Sequence, residues 1–377
     1  MQSKKILYIV STLKRSGPTN QLYYLIKYLE KSKFTPHILT LSPETDESAI
    51  EMFKKINIPI DSLNLSRFEG VFKTKKLIRK KVRGISPSLI HSQGIRSDYI
   101  SNKFLKGIPH VATLRNYPFK DYTMRYGKIK GGFMARAHLK VLKKVDAPYV
   151  VSQSISRMLK TNKNFTIDFI RNGTDEERFN NLNKVKLREK FNIQDDKKVF
   201  ISVGHLISLK DPLTIIKAFK KANIVDSILF FLGNGNLKEK CLEEIGNSNN
   251  ILLIGKVDNV PEYLGMSDYF ISSSLTEGLP NTVMEAMAAG VPCILSDIQP
   301  HLEIHNLNKK SSLIFKTKKV DELAEKIKIL TADNNYDAMS AACKKTINNH
   351  LSAKIMSENY QRIYLELINN VSTSENC

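Results

Sequence analysis

Fourteen residues, 277–290 (EGLPNTVMEAMAAG), bring together two carboxylates, a Gly-Leu-Pro turn and a helix start. Seven residues separate Glu277 from Glu285. That spacing leaves Glu277 in the loop and Glu285 a turn or so into a helix beginning near Pro280 or Asn281. Proline is favoured at the first helical position and asparagine at the cap, because the first amides of a helix have no partner inside it. Those amides and the positive end of the helix suit an anion such as a phosphate. A carboxylate beside them can accept from sugar hydroxyls, and one inside the first turns can hold a vicinal diol such as a ribose. A bare pair of glutamates at this spacing is ordinary solvated surface, so the information lies in the context.

A second stretch has the same flavour. Gly204-His205-Leu206-Ile207-Ser208-Leu209-Lys210-Asp211-Pro212 follows an apolar run and opens a helical pattern, which places the Lys210 ammonium where it can meet a pyrophosphate. Gly233-Asn234-Gly235 and Gly255-Lys256-Val257 end the next two apolar runs, and the first of these is equally readable as a tight turn. In the first half, Ser16-Gly17-Pro18-Thr19-Asn20, His91-Ser92-Gln93-Gly94 and Thr113-Leu114-Arg115-Asn116 stand at run ends in the same way. A glycine after a strand lets a backbone approach a phosphate, although no G-x-G-x-x-G is present.

The elements that must position these groups alternate. Apolar runs at 4–12, 37–42, 88–94, 110–115, 147–153 and 165–173 predict strands, with helices at 20–32, 47–57, 71–83, 97–105, 125–145 and 154–161. The second half repeats the rhythm, with strands at 199–204, 227–233, 250–257, 269–274, 292–297 and 311–315. Its helices fall near 211–222, 236–246, 260–266, 281–289 and 320–331, and stretches at 335–350 and 354–370 close the chain. The fold class is therefore α/β, with two tandem Rossmann-like domains facing a central cleft and ligands at the carboxyl ends of the strands. The boundaries fall at 1–185, 186–350 and 351–377, the last segment being a closing helix and tail.

Length and composition agree. The 377 residues suffice for two domains, and 42% hydrophobic with 25% charged residues is globular. Cys241, Cys293, Cys343 and Cys377 are widely spaced, which predicts reduced thiols in a cytosolic protein rather than a disulfide framework or zinc site. The apolar run Ile6–Val10 is too short for a signal peptide and reads as a first strand. No run approaches the roughly eighteen residues that span a bilayer.

The formal charge of +21 is uneven: residues 1–180 carry 34 Lys and Arg against 14 Asp and Glu, while residues 181–377 carry 24 against 23. Two acid-free runs account for much of it. Lys73, Lys75, Lys76, Arg79, Lys80, Lys81 and Arg83 lie in one; Arg125, Lys128, Lys130, Arg136, Lys140, Lys143 and Lys144 lie in the other. In the second, Phe133, Ala137, Val141 and Val145 recur at helical spacing opposite Arg136, Lys140 and Lys143. This amphipathic basic helix fits an anionic membrane surface, or packs its apolar side into the core and leaves a solvated basic face.

In its ordered motifs the chain resembles the retaining glycosyltransferases of family 4. These are the SGPTN loop, VSQS at 151–154, IRNGTD at 170–175, GHLISLKDP at 204–212, GKVDNVPEYL at 255–264 and SDYFISSSLTEGLPNTVMEAMAAGVP at 267–292. The resemblance implies a GT-B architecture, with the nucleotide-sugar on the C-terminal domain, the acceptor on the N-terminal domain, and the last helix crossing back. By position it gives Lys210 the donor pyrophosphate, Glu285 the ribose hydroxyls, and Glu277 with the backbone of Gly278, Leu279, Pro280 and Asn281 the transferred sugar and phosphates. Lys256 and Val257 would meet the base, and Gly17 would let the first loop close on the phosphates. Glu277, Lys210 and Arg115 are the catalytic candidates.

No metal or other cofactor is implied, because the cation and helix amides stabilise the leaving nucleoside diphosphate and that phosphate takes the acceptor proton. The chain departs from the family's pattern twice. His205 stands where the family usually has arginine, and Arg115 where it usually has a histidine that meets the donor sugar.

The expected function is retaining transfer of a hexose or N-acetylhexosamine from a nucleotide-diphosphate sugar, a UDP-sugar favoured. The expected acceptor is a polyisoprenyl-diphosphate-linked sugar at the inner face of the cell membrane, in surface polysaccharide synthesis. Two other classes remain open at this stage. A nucleotide-sugar 2-epimerase of the same fold would need no acceptor, and a nucleic-acid binder would use the charge, although the basic runs lack interleaved aromatics. His301 and His305 lie four apart, but the intervening glutamate is at the wrong offset for H-E-x-x-H.

Overall fold

The computed structural model describes residues 3–66, 69–332 and 335–374. The chain divides into two compact units, Met1–Asn172 with Ala353–Cys377, and Gly173–Ser352. The short helices Glu176–Phe179 and Lys184–Lys190 thus belong to the second unit, ahead of the 185/186 boundary suggested by the sequence.

The first unit is built on seven parallel strands: β1 (Lys4–Val10), β2 (Phe34–Thr40), β3 (Ile60–Ser62), β4 (Leu89–Gln93), β5 (His110–Leu114), β6 (Ala147–Val150) and β7 (Asp168–Phe169). Their order is β3-β2-β1-β4-β5-β6-β7. A parallel sheet needs helices on both faces, so its central strands are apolar on both sides. In β1, Ile6, Tyr8 and Val10 pack with Leu22 and Leu25 of the helix Gly17–Lys27 and with Tyr360 and Tyr364 of the helix Ala353–Ser374. Leu7 and Ile9 pack the other way, with Ile78 and Val82 of the helix Glu69–Ile85 and Ile100 of the helix Ile95–Phe104.

The last helix therefore crosses back onto the first unit, as the resemblance implies. Ser357 Oγ fastens it by donating to the Leu25 carbonyl at 2.8 Å.

The stretch read as one helix, 125–145, is two: Pro118–Tyr126 and Lys128–Leu142, broken at Gly127 with φ +82°. Gly131 allows them to touch, since a Cβ there would lie 2.3 Å from the Tyr122 carbonyl oxygen. The core face of the second helix is not the apolar stripe of Phe133, Ala137 and Val141. Ala135, His138, Leu139 and Leu142 are buried, whereas Ala137 is exposed and Phe133 is 73% exposed. A buried polar chain holds that face. His138 Nε2–H donates to Asp98 Oδ2 at 2.7 Å, His138 Nδ1 lies 2.8 Å from the Tyr122 hydroxyl, and Ser92 Oγ donates to Asp98 Oδ1 at 2.6 Å.

The second unit carries β8 (Lys198–Val203), β9 (Ser227–Leu232), β10 (Ile251–Gly255), β11 (Tyr269–Ser272), β12 (Cys293–Ser296) and β13 (Ser312–Phe315), all parallel in the order β10-β9-β8-β11-β12-β13. This is the Rossmann strand order, whose direction reverses between β8 and β11. Its core joins Phe200, Leu229, Phe231 and Ile271 to Ile215, Ile216 and Phe219 of the helix Pro212–Ala222. Cys241, Cys293 and Cys343 are buried free thiols; Cys377 lies outside the described residues. Among the described residues, no helix is long and apolar enough to cross a membrane.

Candidate active site

The switch point of the second sheet carries the groups singled out from the sequence. Lys210 lies in the loop after β8 and Glu277 in the loop after β11, and these two strands flank the reversal. The loops are fastened together. Leu275 N–H donates to the Leu209 carbonyl at 2.8 Å, and Ser273 Oγ lies 2.9 and 2.7 Å from the carbonyls of Lys210 and Asp211. Asp211 takes the left-handed conformation, φ +49°, which turns the chain into the helix beginning at Pro212.

Within this frame the Lys210 ammonium donates to Glu277 Oε1, and Ser274 Oγ donates to the same oxygen at 2.7 Å. Burial pushes the Glu277 carboxyl up, but the charge and hydrogen bond of Lys210, with the Ser274 hydroxyl, outweigh it and hold the group below its ordinary value. It is a carboxylate at neutral pH.

His301 stands in a helix, Gln299–Leu307, that the sequence reading missed. It is wholly buried, with Nδ1 3.0 Å from the Ser296 carbonyl and Nε2 3.4 Å from Ser272 Oγ. Burial lowers its pKa to about 4 against the upward pull of Glu277, so the ring is neutral. Its usable sequence signal was the proline at 300, which marks a helix start rather than a loop. His305 belongs to the same helix, with Nδ1 at Ser312 Oγ, 3.0 Å away. Among the described residues no group of three or more His, Cys, Asp and Glu is placed to hold a metal.

The helix after Glu277 runs Asn281–Ala288, starting where the sequence reading put it, with Pro280 rather than Asn281 at the cap. Gly278, Leu279 and Pro280 are buried beneath this helix start. Glu285 lies one turn in and is buried, facing Arg178 Nη1 at 3.4 Å. Burial raises its pKa, and Arg178 offsets only part of that. Arg178 comes from the short helix opening this unit, more than a hundred residues away, and nothing in the sequence pattern pointed to it.

The remaining second-unit candidates are brought together by glycines. A Cβ at Gly233 would sit 2.0 Å from the Gly204 carbonyl oxygen, and one at Gly235 would sit 2.1 Å from that of Leu206. The turn after β9 therefore presses on the turn after β8. His205 is exposed, and its Nδ1–H donates to the Asn234 carbonyl at 3.3 Å. Gly233 N–H donates to the Gly255 carbonyl at 2.7 Å, which places Lys256 and Val257 beside the same turn.

Two candidates belong to the first unit. Gly17 is the first residue of its helix, after the Ser16 cap. Arg115 follows β5 and donates to Gln93 Oε1 at 2.7 Å and to Asn172 Oδ1 at 2.9 Å. His91 and Thr113, on the same strands, are core groups: His91 lies 2.6 Å from the Tyr364 hydroxyl and 2.7 Å from Thr113 Oγ1.

Two Rossmann-type sheets, with a lysine–carboxylate pair and a helix start at the switch point of the second, define an α/β enzyme class built to hold a phosphorylated ligand. Residues 183–350 match the family described as Glycosyl transferases group 1, and residues 15–178 match Glycosyltransferase Family 4. The chain is 30% identical over 306 residues to an uncharacterized glycosyltransferase of Methanocaldococcus jannaschii, covering 74% of this chain and 73% of that one. It is 29% identical over 325 residues to the capsular polysaccharide biosynthesis glycosyltransferase CapH of Staphylococcus aureus, covering 82% and 85%. Identity is 28% with an Escherichia coli UDP-Gal:alpha-D-GlcNAc-diphosphoundecaprenol alpha-1,3-galactosyltransferase, over 54% of this chain and 55% of that protein.

The crystal structure of Anabaena HepE with UDP and glucose aligns with a TM-score of 0.79 over 96% of this chain and 99% of that one. At 15% identity, that likeness shows the GT-B fold alone. The chain belongs to glycosyltransferase family 4 and is a hexosyltransferase.

Proposed function

We propose that the chain transfers a hexose or N-acetylhexosamine, with retention, from a UDP-sugar to a sugar carried on a polyisoprenyl diphosphate, in the synthesis of a surface polysaccharide. The observation that carries this reading is the Lys210–Glu277 pair beside the Asn281–Ala288 helix start. Lys210 and the amides of the helix start meet the diphosphate, and the departing UDP gains negative charge as the sugar becomes oxocarbenium-like. Fixed positive charge at that point lowers the barrier. Before that, the donor has to displace Glu277 from Lys210. The freed carboxylate then accepts from hydroxyls of the transferred sugar, Glu285 accepts from the ribose, and Lys256 and Val257 flank the base.

In this reading His205 and the backbone of Gly278 to Asn281 line the phosphates, Gly17 gives the first loop its close approach, and Arg115 serves the reacting substrate from the first unit. The positive charge comes from Lys210 and the amides, so transfer proceeds without a metal.

The nucleotide and acceptor classes draw support from the relatives, whose names specify a UDP-sugar donor, a diphosphoundecaprenol acceptor and capsule synthesis. The membrane part draws support from the first unit's surface. Met124, Tyr126, Ile129 and Phe133 are exposed, Ile129 by 86%, among Arg125, Lys128, Lys130 and Arg136. Apolar side chains in a basic surround are the composition of an interfacial helix, and each cation near an anionic leaflet contributes about 1 kcal/mol. The protein would then work on the cytoplasmic face of the membrane.

The test is transfer from labelled UDP-sugars to a short-chain prenyl-diphosphate N-acetylglucosamine. A labelled, butanol-extractable product with an α-linkage is expected. Release of a changed free sugar in place of such a product would contradict transfer.

A further inference from the structure

Among the described residues, no carboxylate answers the charge of one guanidinium in the first unit. Arg115 follows β5 and Gln93 ends β4, so both stand at the carboxyl edge of the sheet, beside the point where strand order reverses between β1 and β4. The two terminal nitrogens of Arg115 are taken by Gln93 Oε1 and Asn172 Oδ1, both neutral amide oxygens. Among the described residues no carboxylate accepts from it.

Two donors are left over. Arg115 Nε–H is buried without an acceptor, and so is Gln93 Nε2, whose orientation is fixed because its oxygen already accepts from Arg115. Arg115 is half-buried, and a charge withdrawn from water is unfavourable to the extent that nothing pairs with it. The core beneath does not need the arginine. His91, Thr113, Tyr360 and Tyr364 satisfy one another, with Thr113 Oγ1 2.8 Å from the Tyr360 hydroxyl.

We propose that Arg115 and Gln93 form an oxyanion site that takes a phosphate or carboxylate of the substrate through Arg115 Nε–H and Gln93 Nε2–H. Two unsatisfied donors on hydrogen-bonded side chains, one of them charged, can serve oxygens of one anion, and a charge-assisted bond is the stronger kind. A neutral sugar hydroxyl would satisfy the hydrogen bonds and leave the charge unanswered. The anion has two chemical sources: the diphosphate of a lipid-linked acceptor, or the carboxylate of a uronic acid sugar. The proposal rests on the transferase reading only in calling the bound molecule a substrate.

The experiment uses the full chain with 15N-labelled arginine, in which the Arg115 Nε–H resonance is identified by its loss in Arg115→Lys. Inorganic pyrophosphate, glucuronate and, as a neutral control, glucose are titrated separately. A saturable downfield move with an anion and none with glucose is expected. The tighter-binding anion names the source: pyrophosphate for an acceptor diphosphate, glucuronate for a uronic acid. No movement with either anion at about 10 mM, where even a millimolar site is mostly filled, overturns the proposal.

Gln93→Glu supplies the carboxylate from within. It should raise the unfolding temperature and weaken the anion response at least about tenfold, the scale of a lost charge-assisted hydrogen bond. An undiminished response in that variant would also overturn the site. UDP binding to the second unit, measured on the same samples, reports on the transferase reading independently. Its loss leaves the Arg115 titration interpretable, and a silent Arg115 leaves the UDP result standing.

Discussion

Lys210 is already spoken for by Glu277, and that pairing sets what substitutions should do. Glu277→Gln removes the competing carboxylate, so UDP should bind several-fold more tightly by calorimetry while transfer falls. A drop in both would mean that Glu277 only holds the loop. Lys210→Ala should cut kcat/KM by about a hundredfold or more, the effect of removing one donor to a developing anion. His301 supplies a stability test with a definite sign. Its folded pKa of about 4 lies below the ordinary 6.5, so the unfolded chain takes up the proton first and stability is lost as pH falls from 6.5 towards 4.

Glu277, also lowered, loses its share below the ordinary glutamate range, whereas Glu285, raised, contributes in the opposite direction. Between pH 7 and pH 5, urea melts should show a loss of about 2 kcal/mol that His301→Gln abolishes. At this scale Lys210, Glu277 and Glu285 were legible because each sits in a short loop-to-helix stretch. Arg178 and His301 were not, because what places them beside Glu285 and Glu277 is a fold contact with a neighbour distant in the chain.

At the scale of elements, the sequence reading was good where pattern and packing coincide and poor where a polar group is buried or a piece is short. Twelve of the thirteen strands overlap the predicted runs; the three-residue β3 was too short to show a pattern. In the helix Lys128–Leu142 the apolar stripe containing Phe133 was readable as a membrane-facing surface or as a core face, and Phe133 and Ala137 are exposed. The true face includes His138, buried because Asp98 and Tyr122 satisfy it, and no periodicity reveals that.

The exposed stripe thus remains the membrane candidate. Replacing Ile129 and Phe133 together with serine should reduce binding to anionic vesicles about a hundredfold or more, at about 1.5–3 kcal/mol per apolar side chain, with the unfolding temperature unchanged. Vesicle binding equal to wild type would remove the apolar part of the account. Gly233→Ala is the companion test for the interlocked turns. A Cβ 2.0 Å from the Gly204 oxygen, at φ +138°, should cost about 1–3 kcal/mol in urea melts and weaken UDP binding.

For the whole molecule, the charge asymmetry and the division into two units tell one story. The strongly basic half holds the oxyanion candidate and the apolar-basic surface, and the nearly neutral half holds the proposed diphosphate site. The family and fold were legible from ordered motifs spread along the chain, since loops at strand ends keep their residue types for chemical reasons. The nucleotide base and the linkage are set by local shape that residue types do not encode.

The most direct test of the central claim is calorimetry of UDP, GDP and ADP against the wild-type chain and Glu285→Ala, with EDTA present. The account expects UDP to bind selectively without added metal, and at least about tenfold more weakly to the variant, as for loss of a hydrogen bond to a charged group. Equal affinity of wild type and Glu285→Ala for UDP, or no binding of any nucleotide, would contradict it.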